Sequence, residues 1–152
     1  MSYFTKFSKT PFERRELTDI TRKFEIRKDI KNNPLAYDEY LIGEGETPEF
    51  VATQFYGEPK YNWIIFLMND FLDPFYDWPL DSSELDEFVN EKYEDPQAVH
   101  HYEDSDGFII HPSTVSNPED YEVTNLEYEE QLNESKREIK LLKREFLNLI
   151  IL

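Results

Sequence analysis

The chain has 152 residues, 39% hydrophobic and 16% aromatic, a formal net charge of −17 and no cysteine. A chain of this length makes one domain, or one small core with appended arms, and without cysteine it has neither a disulfide framework nor a thiolate metal site. Its acidity opposes binding to phosphate backbones, no apolar run approaches the twenty or so residues that span a bilayer, and residues 1 to 11 lack an export signal's apolar stretch, so neither nucleic acid nor membrane is expected as a partner.

Residues 1–35 read as an N-terminal arm. Its first part is rich in aromatics without periodicity (Tyr3, Phe4, Phe7, Phe12), as in a segment that attaches to something else. Phe24, Ile26 and Ile30 then mix helical and extended spacing, which predicts an irregular or partly extended stretch. Asn32-Asn33-Pro34 marks the start of a compact core over 36–80. A β-type run, Tyr37 to Ile42, leads into the turn Gly43-Glu44-Gly45-Glu46, whose glycines can both take positive φ. Thr47 and Pro48 are N-cap and first residue of a helix carrying Phe50, Val51, Gln54 and Phe55, stopped by Gly57. Pro59 opens a second helix so crowded with apolar groups (Trp63, Ile64, Phe66, Leu67, Met68) that burial nearly all round is expected. Trp78-Pro79 closes the core.

Residues 81–111 predict a helix and a β-hairpin. Asp81 or Ser82 can cap a helix with a stripe of Leu85, Phe88, Val89 and Tyr93. Ala98 to Glu103 and Phe108 to His111 alternate about Asp104-Ser105-Asp106-Gly107, a hairpin turn. Residues 112–123 read as a polar surface linker and candidate hinge. From 124 to 152 the spacing predicts one long C-terminal helix, with Tyr128, Leu132, Ser135, Ile139, Leu142, Phe146 and Leu149 alternating four and three apart as an a/d seam. Its last turn is apolar all round, including Ile150. Burial of each such side chain is worth roughly 1.5 to 3 kcal/mol, which a protruding helix end cannot obtain by itself. Leu132, Ile139, Leu142, Phe146, Leu149 and Ile150 are therefore expected to face a protein partner, as are Tyr3, Phe4, Phe7 and Phe12 of the arm. Replacing Phe146 and Leu149 by alanine should then spare the fold and abolish assembly.

Catalytic signals are weak. Acid pairs such as Asp70 and Asp73, or Asp81 and Glu84, are explained by caps and solvated faces, and nothing in the sequence supplies the apolar cleft that would raise one pKa. His100 and His101 are adjacent on a predicted strand, so they should point to opposite sides and not chelate one ion together. No phosphate-binding glycine loop or nucleophilic serine motif is present. No enzyme, cofactor, metal or small-molecule substrate is expected.

Charge is segregated along the chain. Residues 1 to 31 hold nine Lys/Arg against five Asp/Glu and 136 to 152 five against two, whereas 32 to 135 hold two against twenty-six. Basic ends on an acidic body suggest docking, either back onto the chain's own core or onto a neighbour.

Strand, Gly-x-Gly turn, short helix ending in Phe55-Tyr56-Gly57-Glu58-Pro59, apolar helix with Tyr61, Trp63 and Leu67, then Asn69-Asp70 and Asp73-Pro74-Phe75-Tyr76 resemble the LysM module, a βααβ unit. More narrowly this core, with Glu16-Leu17-Thr18-Asp19-Ile20 before it and Leu132 to Lys140 after it, resembles the baseplate wedge protein 53 family of T4-like contractile-tailed phages. The chain departs from that pattern in being short, with a trimmed stretch between core and last helix. The resemblance implies an α+β fold in which Phe55, Tyr56, Gly57, Pro59, Trp63, Leu67, Asn69, Asp73 and Pro74 build the LysM-like core. It implies a structural subunit of the virion tail baseplate, assembled in the host cytoplasm, that joins wedge subunits and neighbouring wedges around the tail hub. Its partners would be helical core-bundle proteins of the wedge, adjacent wedges, and sheath-initiator and hub proteins. Ordinary LysM modules imply a rival, binding of peptidoglycan or chitin; a seam-forming helix beyond a single module favours the scaffold.

Overall fold

The computed structural model describes residues 7–19 and 25–151, with no account of the side chains of 119, 120 and 148–151. Tyr3, Phe4 and Phe24, and the side chains of Leu149 and Ile150, fall outside that description. In chain order the elements are β1 (Lys9–Phe12), β2 (Arg15–Thr18), β3 (Glu25–Ile26), α1 (Lys28–Lys31), β4 (Tyr37–Leu41), α2 (Pro48–Tyr56), α3 (Asn62–Met68) and α4 (Pro74–Asp77). They continue with α5 (Ser82–Lys92), β5 (Val99–Glu103), β6 (Ile109–Ile110), β7 (Glu122–Thr124), α6 (Asn125–Ser135), β8 (Glu138–Leu142) and β9 (Ile150–Ile151). The fold is α+β. Two compact units result, one formed by 1–78 with 137–152, the other by 79–136.

In the first unit β4 pairs antiparallel with β8, Tyr37 opposite Leu142 and Leu41 opposite Glu138. Val51, Ala52 and Tyr56 of α2 and Ile64, Ile65 and Met68 of α3 share one core with Ile139, Leu141 and Leu142 of β8. The order β4, α2, α3, β8 is thus a βααβ unit whose closing strand arrives only after residues 79–136 have been inserted. Local chemistry matches the sequence reading over most of it. The Thr47 side chain accepts a hydrogen bond from Phe50 N–H, Pro48 begins α2, and Gly57 ends it in the left-handed region at φ +88°. The turn differs in one respect. Gly45 takes a positive φ (+68°) and Gly43 does not; a Cβ at Gly43 would lie 3.1 Å from Glu46 Cδ and would press on the side chain that bonds to Gly43 N–H and Tyr40.

The long C-terminal helix does not form. Helix α6 stops at Ser135, where Lys136 N–H bonds to Asn133 O, and residues 138–142 run as a strand. The competing force is tertiary. Without β8 the inner edge of β4 would lose the partner for its backbone groups and the core would lose Ile139 and Leu141, which also fit the two-residue period of a strand. The helical seam passes over Leu141, which is fully buried. Ile139 and Leu142 are core residues as well and are not available to a partner. Beyond β8 a 3-10 segment, Arg144–Leu149, places Phe146 half-buried against the same core, so Phe146→Ala would disturb the fold instead of sparing it.

The N-terminal arm is more regular than its spacing predicts. Strands β1 and β2 form a hairpin, β3 pairs with β9, and Ile26 and Ile30 join the core. In the second unit β5 lies between β6 and β7, with Leu85, Val89 and Val123 buried. Capping boxes start both of its helices, Asp81 with Glu84 and Thr124 with Glu127. The stretch 112–123 is no plain linker, since its end pairs with β5 as β7. Buried Glu129 accepts hydrogen bonds from Lys92 Nζ and Tyr93 Oη, each 2.7 Å.

Candidate assembly surface

The residues that close the core also build its most exposed feature. After α3 the chain turns at Asp70 (φ +58°), whose carboxylate pairs with Lys31. Phe71 tucks back, its ring 6.3 Å from those of Phe66 and Trp78. Asp77 Oδ2 accepts from Leu72 N–H (2.8 Å) and Asp73 N–H (3.0 Å), and Asp73 Oδ1 from Phe75 N–H (3.0 Å), so the loop is bonded to itself. Pro74 begins α4, and Trp78 anchors its far end by donating to Glu46 O at 2.8 Å. A loop held this firmly presents Leu72 and Phe75 outward, 94% and 92% exposed. Solvated apolar side chains on a rigid support, ringed by acids, are what a protein contact needs.

The hairpin β1–β2 is the second exposed feature. Its register sets Thr10, Phe12, Arg15 and Leu17 on one face, with Phe12 59% and Leu17 47% exposed. Glu13 and Arg14 make the turn with φ of 42° and 69°, positions that usually demand glycine or asparagine. Of the expected arm contacts, Phe12 is exposed and Phe7 is buried. Leu17 escaped the sequence reading because one apolar residue among charges gives no periodicity, and Leu72 because a loop has none.

The basic C-terminal segment has already docked, on its own unit. Arg137 donates to Ile42 O (3.2 Å) and to Glu44 (2.6 Å), Lys143 Nζ to Leu35 O (3.0 Å), and Arg144 Nε to Phe55 O (2.8 Å). Leu132 is half-buried in the second unit. The core residues serve structure. Tyr56 is buried with its hydroxyl on Leu142 O at 3.0 Å, and burial raises its pKa far above the ordinary tyrosine value. Tyr40 is pushed up to about 12 by burial and by its hydrogen bond to Glu46. Phe55, Trp63 and Leu67 are half-buried against the core, Pro59 opens a 3-10 turn, and Asn69 bonds to β8.

The two histidines correct a sequence expectation. A bulge between Val99 and His101 breaks the alternation, so that His100 and His101 bring their Nδ1 atoms within 2.9 Å. His100 stacks on Tyr128 at 3.9 Å, and His101 Nε2 lies 3.2 Å from Glu103. His111 instead bonds to Ser113. Among the described residues no group of three His, Cys, Asp or Glu is placed to hold a metal ion.

Exposed apolar side chains on a loop bonded to itself suit a contact with another protein, and the comparison with known families points to an assembly. A family model described as base plate wedge protein 53 matches residues 2–123. The chain belongs to the base plate wedge protein 53 family. The match ends at β7, before the strand that closes the core. The baseplate wedge protein gp53 of Enterobacteria phage T4 is 35% identical over 65 residues, a stretch covering 41% of this chain and 32% of that relative. The chain thus aligns with about a third of the length of that relative. Membership in the wedge protein 53 family makes this a structural protein of the phage tail baseplate.

Proposed function

We propose that this chain works by adhesion, joining wedge subunits within one wedge and neighbouring wedges around the tail hub. The observation that carries the reading is the family match across residues 2–123. The exposed Leu72 and Phe75 and the uncovered hairpin support it, since neither is satisfied within the chain. In this reading the βααβ unit is a LysM-like core that grips helical core-bundle proteins of the wedge, and Phe12 belongs to an arm that reaches adjacent wedges, sheath-initiator or hub proteins. The C-terminal contact shrinks to whatever Leu149 and Ile150 offer, because Ile139 and Leu142 are internal.

Expression of the tagged full chain in infected cells, followed by isolation of wedges and baseplates, tests this directly. The tag should be found in both particles. A chain that stays free while baseplates assemble would overturn the proposal. Chitin oligomers and peptidoglycan fragments serve as the rival probes: the scaffold should bind neither, and saturable binding by the purified chain would move glycan recognition ahead.

A further inference from the structure

Two surfaces of the first unit are uncovered, and their chemistry is complementary. The loop 69–78 carries Asp70, Asp73 and Asp77 with no lysine or arginine, and the first unit's own stretch 32–78 holds one base against nine acids. From this acidic ground Leu72 and Phe75 project almost wholly into solvent. The hairpin carries the opposite sign, by one charge. On its back face Lys9 and Glu16 pair at 3.7 Å and neutralise each other, which leaves Arg15 beside Phe12 and Leu17 on the other face, with Glu13 and Arg14 together at the tip. A two-stranded hairpin by itself is marginal in water, so one with every residue exposed needs a surface to lie on. The basic C-terminal segment is already engaged with its own unit, which among the described residues leaves the hairpin as a basic apolar element still open.

We propose that the hairpin β1–β2 of one copy docks on the α3–α4 loop of a second copy of this chain. Phe12 and Leu17 cover Leu72 and Phe75, while Arg14 and Arg15 meet the loop's carboxylates. Guanidinium groups suit this place, because they pair with carboxylates and also stack on aromatic faces. The contact is heterologous, hairpin to loop, so each copy offers one half to each of two neighbours. Such a contact propagates until it closes into a ring. The inference stands on the surfaces of a single chain and does not depend on which wedge proteins are present, so its failure is separable from failure of the baseplate reading.

Two variants of the full chain test it, Phe12→Ser with Leu17→Ser and Leu72→Ser with Phe75→Ser, after urea unfolding confirms that each folds as the wild type does. In sedimentation velocity the wild type should gain mass with concentration and lose the effect at high salt. Each variant should stay monomeric. Mixed in equal amounts, the two should give a species of twice the monomer mass that grows no further, because the mixture retains one intact hairpin and one intact loop per pair. A wild type monomeric at every concentration reached would overturn the proposal, as would self-association that either variant leaves intact or that mixing fails to restore.

Discussion

Asn69 pairs with the backbone of β8 as though it were a short strand. Its Nδ2 donates to Ile65 O (2.8 Å) and Lys140 O (2.9 Å), and its Oδ1 accepts from Lys140 N–H (2.8 Å), so one side chain ends α3 and extends the sheet. At about 0.5–1.5 kcal/mol for each net hydrogen bond, Asn69→Ala should cost roughly 2–4 kcal/mol, visible as a lower urea midpoint with an unchanged slope. Asn133 does the same in the second unit for the N–H and C=O of Leu80. Glu129 is a residue of another kind. Burial pushes its carboxyl pKa up, but the hydrogen bonds from Lys92 and Tyr93 and the charges of Lys92 and Lys136 outweigh this and hold it below its ordinary 4.5. The folded value is therefore under the unfolded one. The ionised carboxylate contributes its full stability above the unfolded value, and the contribution disappears as the pH falls through the folded one. Unfolding curves of wild type and Glu129→Gln should differ most near neutrality and converge toward acid.

Elements in this chain begin and end where short-range chemistry says they should, provided that chemistry is local. Gly57 ends α2 at φ +88°, and a Cβ there would find its nearest neighbour, Arg144 Nη2, 4.0 Å away. Space is thus no obstacle, and Gly57→Ala should cost only the backbone term, about 1 kcal/mol, read as a small drop in the urea midpoint. Such caps explain why β4, α2, the Asp81 capping box and the β5–β6 hairpin can be read from sequence, since each is fixed by residues within four positions of its boundary. Three features escape that reading. The identity of 138–142 as a strand is set by β4, a hundred residues upstream, against a helical spacing that was itself consistent. The meeting of His100 and His101 depends on a bulge imposed by pairing with β7. Of the surface, Phe12 was legible as an aromatic in an arm, whereas Leu17, Leu72 and the outward aim of Phe75 follow from register and from loop hydrogen bonds.

Along the chain, residues 79–136 form one compact unit inserted between the two segments of the other. Trp78 and Arg137, the residues at the two ends of the insertion, both bond to the turn of residues 42–46, Trp78 to Glu46 O and Arg137 to Ile42 O. Within the same turn Gly43 N–H donates to Glu46 Oε2, and so does the hydroxyl of Tyr40 from β4. Closure of the first unit therefore depends on β8. Ile139, Leu141 and Leu142 are all at most 1% exposed, and at roughly 1.5–3 kcal/mol each their removal withdraws as much as a typical domain has in reserve. A chain ending at Lys136 should lose the cooperative unfolding of the first unit, with Trp63 and Trp78 reporting a solvent-exposed environment by fluorescence. A single helix over 124–152 would have left that unit intact.

That dependence sets a timetable for synthesis. The ribosome makes β4 well before its mate, and between the two events it releases every residue of 79–136, a contiguous unit that has its own sheet and two capped helices. The inserted unit can finish first, while the earlier half waits with an open strand edge until β8 emerges. A polypeptide interrupted before β8 would carry that edge exposed, ready to pair with another chain, so the interval between the two strands is the stretch of synthesis in which the first unit is most open to mispairing.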